Sequence, residues 1–164
     1  MELTAARIIE SPIGRLVVGA TERGIAEIQI LESGQSRVPF YSSETADRHT
    51  KIAAQQLEEF FSGQRDAFDL PIDIQGTAFQ LAVWKQIGKL DKGEAITYGE
   101  LAGQIGKPKA ARAVGGAVGS NPIPLIIGCH RILGSNGAVT GYSGGGGLKT
   151  KRWLLEFEGI RYRP

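Results

Sequence analysis

Apolar and polar residues alternate through much of the first third of the chain. In "GIAEIQIL" Ile28 and Ile30 alternate with Glu27 and Gln29, and "RLVVGAT" before it is equally β-rich. A turn at residues 22–24 separates the two runs, which predicts two neighbouring strands. "SPIG" at 11–14 is turn chemistry joining a first strand over residues 4–9 to the next. The polar residues 32–48 predict a mobile loop. The period then changes: Ala53, Leu57, Phe60 and Phe61 fall at i, i+4, i+7 and i+8, the spacing of a helix face, and Gly63 stops the run. "AFDLPIDI" returns to alternation, with Phe68, Leu70 and Ile72 set against Asp69 and Asp73. Pro71 suits an edge strand there better than a central one.

The second half reads differently. Thr77 and Gln80 form a capping-box pattern at the head of "TAFQLAVWKQIGKL", where Phe79, Ala82, Val83, Ile87 and Leu90 keep helical spacing. A second box, Thr97 to Glu100, opens a short helix to about Ile105, and Gly106 ends it. Pro108 fits the first turn of a further helix running to Gly119. Two short helices joined by a tight glycine turn predict a helix-turn-helix, though close packing through Ala and Gly would give the same pattern. Lys107, Lys109 and Arg112 gather where the second helix starts. Its Ala113, Gly116 and Ala117 form a face small enough for another backbone to approach closely. Pro122 and Pro124 then block helix, residues 125–127 read as a buried strand, a glycine-dense loop follows, and "KTKRWLLEFEG" is a closing helix.

Composition narrows the classes. The chain has 164 residues, 41% hydrophobic and 22% charged, which fits one domain or two small lobes of an ordinary globular protein. One cysteine excludes an internal disulfide, and with two histidines it leaves a zinc cluster short of ligands. No apolar leader follows Met1 and no run approaches the ~20 residues of a membrane span, so the expected compartment is the cytoplasm, with work at the nucleoid if the source is bacterial. Charge is unevenly placed. Residues 1–75 carry 7 Lys/Arg against 12 Asp/Glu, and residues 76–164 carry 12 against 5. A basic second half suits a polyanionic partner, or is simple scatter.

The lone Cys129 stands in "LIIGCHRIL" before His130 and Arg131. Free cysteines are usually buried filler. A neighbouring histidine and arginine, however, are the groups that favour thiolate, the nucleophilic form. Contact between Cys129 and His130 requires the strand to turn, which Gly128 permits, and the residues alone leave both roles open.

Taken together, "GTAFQLAVWKQI", "ITYGELAGQIGKPKAARAVGGAVGSNPIPLIIGCHRIL", "GYSGG" and "KRWLLEFEG" resemble the O6-alkylguanine-DNA alkyltransferases, also called methylated-DNA–protein-cysteine methyltransferases. The resemblance is dense over 76–159 and thin before it. It implies an α/β (α+β) fold: a small N-terminal ribonuclease-H-like strand/helix lobe, residues 1–75, then a winged-helix-like helix-turn-helix domain, residues 76–164, that binds DNA and accepts the alkyl group. The implied partner is double-stranded DNA carrying O6-alkylguanine, with O4-alkylthymine a further substrate. The implied protein is a monomer with no membrane, no cofactor and no metal.

The resemblance also implies roles. Arg112 fills the gap left by a flipped base, while Ala113 and Gly115 let the helix into the minor groove. Tyr98 turns the 3′ phosphate and donates to the flipped guanine. Cys129, His130 and Glu158 form the proton chain, with Asn121 holding the turn. The Ser143 N–H and Tyr98 face the departing O6, the carbonyls of Cys129 and Ile132 accept from the guanine amino group, and Tyr142 walls the pocket. Two positions depart from the pattern: Gly128 replaces the usual proline and Phe157 the usual histidine. The competing readings are a non-catalytic lesion sensor, which would replace the cysteine, and a cysteine hydrolase, which would not need Arg112.

Overall fold

The computed structural model describes residues 2–164, which form two compact units, one ending at Gln75 and the other running from Gly76 to Pro164.

In the first unit β1 (Ala5–Ile9), β2 (Leu16–Thr21), β3 (Gly24–Ile30) and β4 (Phe40–Tyr41) make an antiparallel sheet in the order β3-β2-β1-β4. Its core is β2: Leu16, Val18 and Ala20 are fully buried on the face that α1 (Glu44–Phe61) packs across, and Val17 is fully buried on the other face with Ala6 and Leu31. Leu57 and Phe60 of α1 are fully buried, each stabilising the unit by about 1.5–3 kcal/mol relative to exposure.

Two expectations are corrected here. The segment 32–48 is not all loop: it holds β4, and α1 begins at Glu44 with Ser43 as its N-cap. The early turns of α1 bury only Ala46 and Thr50, residues too small or too polar to register as periodicity. The expected edge strand through Pro71 reduces to one parallel bridge, Ile25↔Ile72, and Ile72 is exposed rather than inward. Pro71 offers only its carbonyl, which accepts from the Ile25 N–H at 2.9 Å. Gly24 makes that approach possible, since a Cβ there would stand 2.5 Å from the Pro71 carbonyl carbon.

The second unit is mostly helical. Both capping boxes form: Thr77 and Gln80 start α2 (Ala78–Ile87), and Thr97 and Glu100 start α3 (Tyr98–Gln104). Behind α3 the Gly106 N–H reaches Gly103 O and the Lys107 N–H reaches Ala102 O, a Schellman stop with Gly106 at φ 75°. The next helix, α4 (Ala111–Gly119), begins three residues later than Pro108 suggested, so Lys107 and Lys109 lie in the turn and only Arg112 is helical. The small face is also corrected: Ala113 and Gly116 are exposed, but Ala117 is buried, its carbonyl accepting from Trp84 Nε1 at 2.8 Å.

Residues 125–127 are a turn, not a strand. Pro122 and Pro124 have no N–H for a ladder, Leu125 takes φ 78°, and the Ile127 N–H closes back onto Ile123 O at 3.0 Å. A 3₁₀ turn over Cys129–Arg131 leads into β6 (Ile132–Leu133), which pairs in parallel with β5 (Ile96–Thr97). That two-residue pair positions the site: Tyr98 directly follows β5, and the turn Cys129–Arg131 directly precedes β6. The closing helix α5 (Leu148–Phe157) ends with Glu158 as its C-cap. No helix among the described residues is long and apolar enough to cross a membrane.

Candidate active site

Asn121 builds the turn that leads into Cys129. Its Oδ1 accepts from the Ile123 N–H at 3.0 Å and its Nδ2 donates to Ile127 O at 2.8 Å, stapling both ends of the irregular apolar run. Gly128 follows at φ −73°, ψ 64°, and the Cys129 N–H returns to Ile127 O at 2.7 Å, an inverse γ-turn. This backbone is open to any residue, so glycine is not there for a left-handed conformation.

Cys129 is 6% exposed at the wall of a cavity of about 320 Å³. Gly115, Val118 and Gly119 of α4 form one side, and Tyr98, Tyr142 and Ser143 line others. Ser143 Oγ donates to Gly119 O at 3.1 Å, tying the glycine loop to the end of α4. The Tyr98 hydroxyl meets Thr140 O only at 3.5 Å. Burial pushes the pKa of both Tyr98 and Tyr142 above the ordinary phenol value, so each is a neutral phenol at working pH.

The thiol is not a thiolate at rest. Burial pushes Cys129 up, and Asn121, Lys151 and, more weakly, Arg131 offset it only in part. Adjacency of His130 and Arg131 in sequence suggested otherwise. In space both side chains point at Glu158: His130 Nε2 hydrogen-bonds Oε2, while Arg131 Nε and Nη2 hold Oε1 and Oε2 at 2.9 and 3.0 Å. The Glu158 side chain is fully buried at the C-terminal end of α5, where the helix dipole disfavours a negative charge. Burial also pushes its carboxyl up, but the hydrogen bonds from His130, Arg131 and the Gly93 N–H hold it down at about 2. His130 is completely buried, which lowers it below its ordinary 6.5 despite Glu158, and its Nδ1 has no protein partner.

Two functional candidates escaped the sequence reading. Arg131 is one, as a carboxylate clamp rather than a thiol activator. Lys151 is the other: its fully buried Nζ donates to the carbonyls of Ile132, Thr140 and Gly141 at 2.6, 2.8 and 3.3 Å. Burial lowers it to about 8, with the Cys129 charge acting in the opposite direction. A lysine three and four residues before Leu154 and Leu155 lies on the apolar side of α5, and that was the available signal.

The structure thus gathers Tyr98, Gly115, Asn121, Cys129, His130, Tyr142, Ser143 and Glu158 around one cavity and its turn. Arg112 and Ala113 stand apart on the exposed side of α4. The Ile132 carbonyl already accepts from Lys151 and the Cys129 carbonyl from the Ile132 N–H, so each has one lone pair left for a ligand.

Comparison with known proteins follows the same division. Residues 78–160 match the model of the 6-O-methylguanine DNA methyltransferase DNA binding domain, and residues 6–74 match that of its ribonuclease-like domain. The chain is 43% identical over 153 residues to a methylated-DNA–protein-cysteine methyltransferase of Haemophilus influenzae, covering 93% of this chain and 84% of that one. It is 44% identical to the Mycobacterium tuberculosis protein of the same name, over 94% of this chain and 92% of the other. The crystal structure of M. tuberculosis O6-methylguanine methyltransferase superposes with a TM-score of 0.81 at 40% identity, covering 93% of this chain and 91% of that chain. A structure of the M. tuberculosis protein in complex with DNA gives the same TM-score at 43% identity and the same coverage. Both units of the chain therefore belong to the 6-O-methylguanine DNA methyltransferase family.

Proposed function

We propose that this protein repairs O6-alkylguanine in DNA by moving the alkyl group irreversibly onto its own Cys129. The observation that carries the reading is the buried thiol on a cavity wall beside a histidine–carboxylate pair, in a unit that also presents a helix-turn-helix. A lesion inside a duplex is out of reach of a buried thiol, so the base must leave the stack. Arg112, exposed near the start of α4, is placed to enter the duplex and occupy the gap. Gly115 and Ala113 keep the helix slim enough for the minor groove.

His130 takes the Cys129 proton through one water, and Glu158 stabilises the imidazolium. The thiolate sulfur then attacks the alkyl carbon. The S–C bond forms as the C–O6 bond breaks, and the electron pair goes to O6 and the purine ring. Tyr98 as a neutral donor and the Ser143 backbone N–H offset that charge. A thioether has no easy route back, so each molecule reacts once and needs no cofactor. Asn121 holds the nucleophile's turn, Tyr142 walls the pocket, and the free lone pairs of the Cys129 and Ile132 carbonyls accept from the guanine amino group. Residues 76–164 are in this reading the DNA-binding and alkyl-accepting domain, residues 1–75 its supporting lobe, and the site of work is DNA in the cytoplasm.

The test is stoichiometry. Mixing the protein with an excess of duplex carrying one O6-methylguanine should remove one lesion per protein molecule and then stop. Continued turnover would point to a hydrolase, and tight binding without lesion loss to a sensor. Arg112→Ala should slow repair of duplex at least about tenfold more than reaction with the free base, a gap of about 1.4 kcal/mol. Equal losses would remove Arg112 from base extrusion.

A further inference from the structure

The Glu158 carboxylate serves two partners, and the second limits what the first can do. Oε1 accepts from Arg131 Nε and from the Gly93 N–H, both at 2.9 Å; Oε2 accepts from Arg131 Nη2 at 3.0 Å and meets His130 Nε2. Arg131 Nη1 is anchored to Leu90 O at 3.1 Å, and the side chain is almost wholly buried, so the fork has little freedom to leave. Gly128 provides its room: a Cβ there would lie 2.7 Å from Nη1 and 3.0 Å from Cζ.

One hydrogen sits between Nε2 and Oε2, and the atom that holds it decides the state of the far side of the ring. We propose that Arg131 is a positioning residue for the transfer reaction: by clamping Glu158 as a carboxylate, it keeps that hydrogen on His130 Nε2 and leaves the buried Nδ1 a bare lone pair ready to accept the thiol's proton. This rests on the alkyl-transfer reading above. The guanidinium opposes the field by which Glu158 favours a protonated ring. The other charges facing His130 act the same way as Arg131: Lys151, reaching in from α5, opposes a second proton, and the Cys129 thiol is uncharged at rest. Burial favours the neutral ring more than any of these. Without the guanidinium the His130–Glu158 pair binds one extra proton at higher pH. Drawn as imidazolium–carboxylate or as imidazole–carboxylic acid, that pair has a hydrogen on Nδ1 and no base.

Nitrogen NMR of histidine-labelled protein tests this without DNA or alkyl transfer. The chain has two histidines, and half-buried His49 in the first unit is an internal reference. The wild-type His130 ring should be the neutral Nε2–H tautomer at pH 7, titrating below its ordinary 6.5. Arg131→Met should raise that midpoint by about one pH unit or more, a tenfold change in proton affinity. Arg131→Lys, which keeps charge but not the fork and removes less packing, should raise it by less. The acid limb of the single-turnover transfer rate should move up with the midpoint. A midpoint unmoved or lowered in the variants, or an Nδ1–H tautomer in the wild type at pH 7, overturns the clamp. Because the readout is the free protein's ring, a failed clamp is distinguishable from a failed transfer reading.

Discussion

At Gly128 the backbone and the surroundings make separate demands. The φ of −73° is one that proline adopts, so the γ-turn does not need glycine. What a side chain there would meet is the end of Arg131, with Nη1 at 2.7 Å, Cζ at 3.0 Å and Cδ at 3.1 Å, and because the guanidinium is one rigid plane the fork must shift as a unit and reseat on Glu158. Gly128→Pro should therefore fold, lose the Arg131–Leu90 bond, and transfer alkyl within about tenfold of the wild-type rate, a change of no more than about 1.4 kcal/mol in barrier. Single-turnover kinetics checks this, and a loss beyond about a hundredfold would show that Arg131 cannot reseat. Glu158→Gln should slow transfer by about 10²–10⁴, the usual range for losing general-base support. That Cys129, His130, Asn121 and Glu158 belong together was legible because motif order and spacing survive in sequence. The roles of Arg131 and Lys151 were not. Adjacency to Cys129 suggested that Arg131 acts on the thiol, whereas its partner Glu158 is brought in by α5, 27 residues away.

Among elements, the parts that local chemistry dictates were readable. Both capping boxes depend on side chains three residues apart, and both formed. The apolar run 125–127 failed as a strand because periodicity cannot separate a buried strand from a buried turn; Asn121, four residues upstream, decided between them through its amide. The start of α1 was missed because its early turns turn small residues inward. Thr97 links fold and site, since it belongs to β5 and caps the helix that Tyr98 opens. Thr97→Ala should cost about 1 kcal/mol in denaturant unfolding. It should also weaken transfer, while Thr77→Ala, at a comparable cost in stability, should weaken transfer less. Equal effects on transfer would separate Tyr98's position from its helix cap.

For the whole molecule, acid sensitivity has a definite sign. Glu158 is held at about 2 and His130 below 6.5, so the folded state binds fewer protons than the unfolded chain as pH falls. Stability should decline first below the ordinary histidine value, and again from the ordinary carboxyl value of 4.5 toward 2. Urea midpoints between neutral and acid pH check this, and Glu158→Gln should flatten the lower part of the curve. The central claim, that Cys129 is both reagent and acceptor, is tested most directly by weighing the intact protein after incubation with a duplex carrying O6-methylguanine. The account predicts a gain of one methyl group, saturating at one per molecule, mapping to the Cys129 peptide and absent in Cys129→Ala. An unchanged mass while the lesion disappears, or a methyl group that persists in Cys129→Ala, would contradict it.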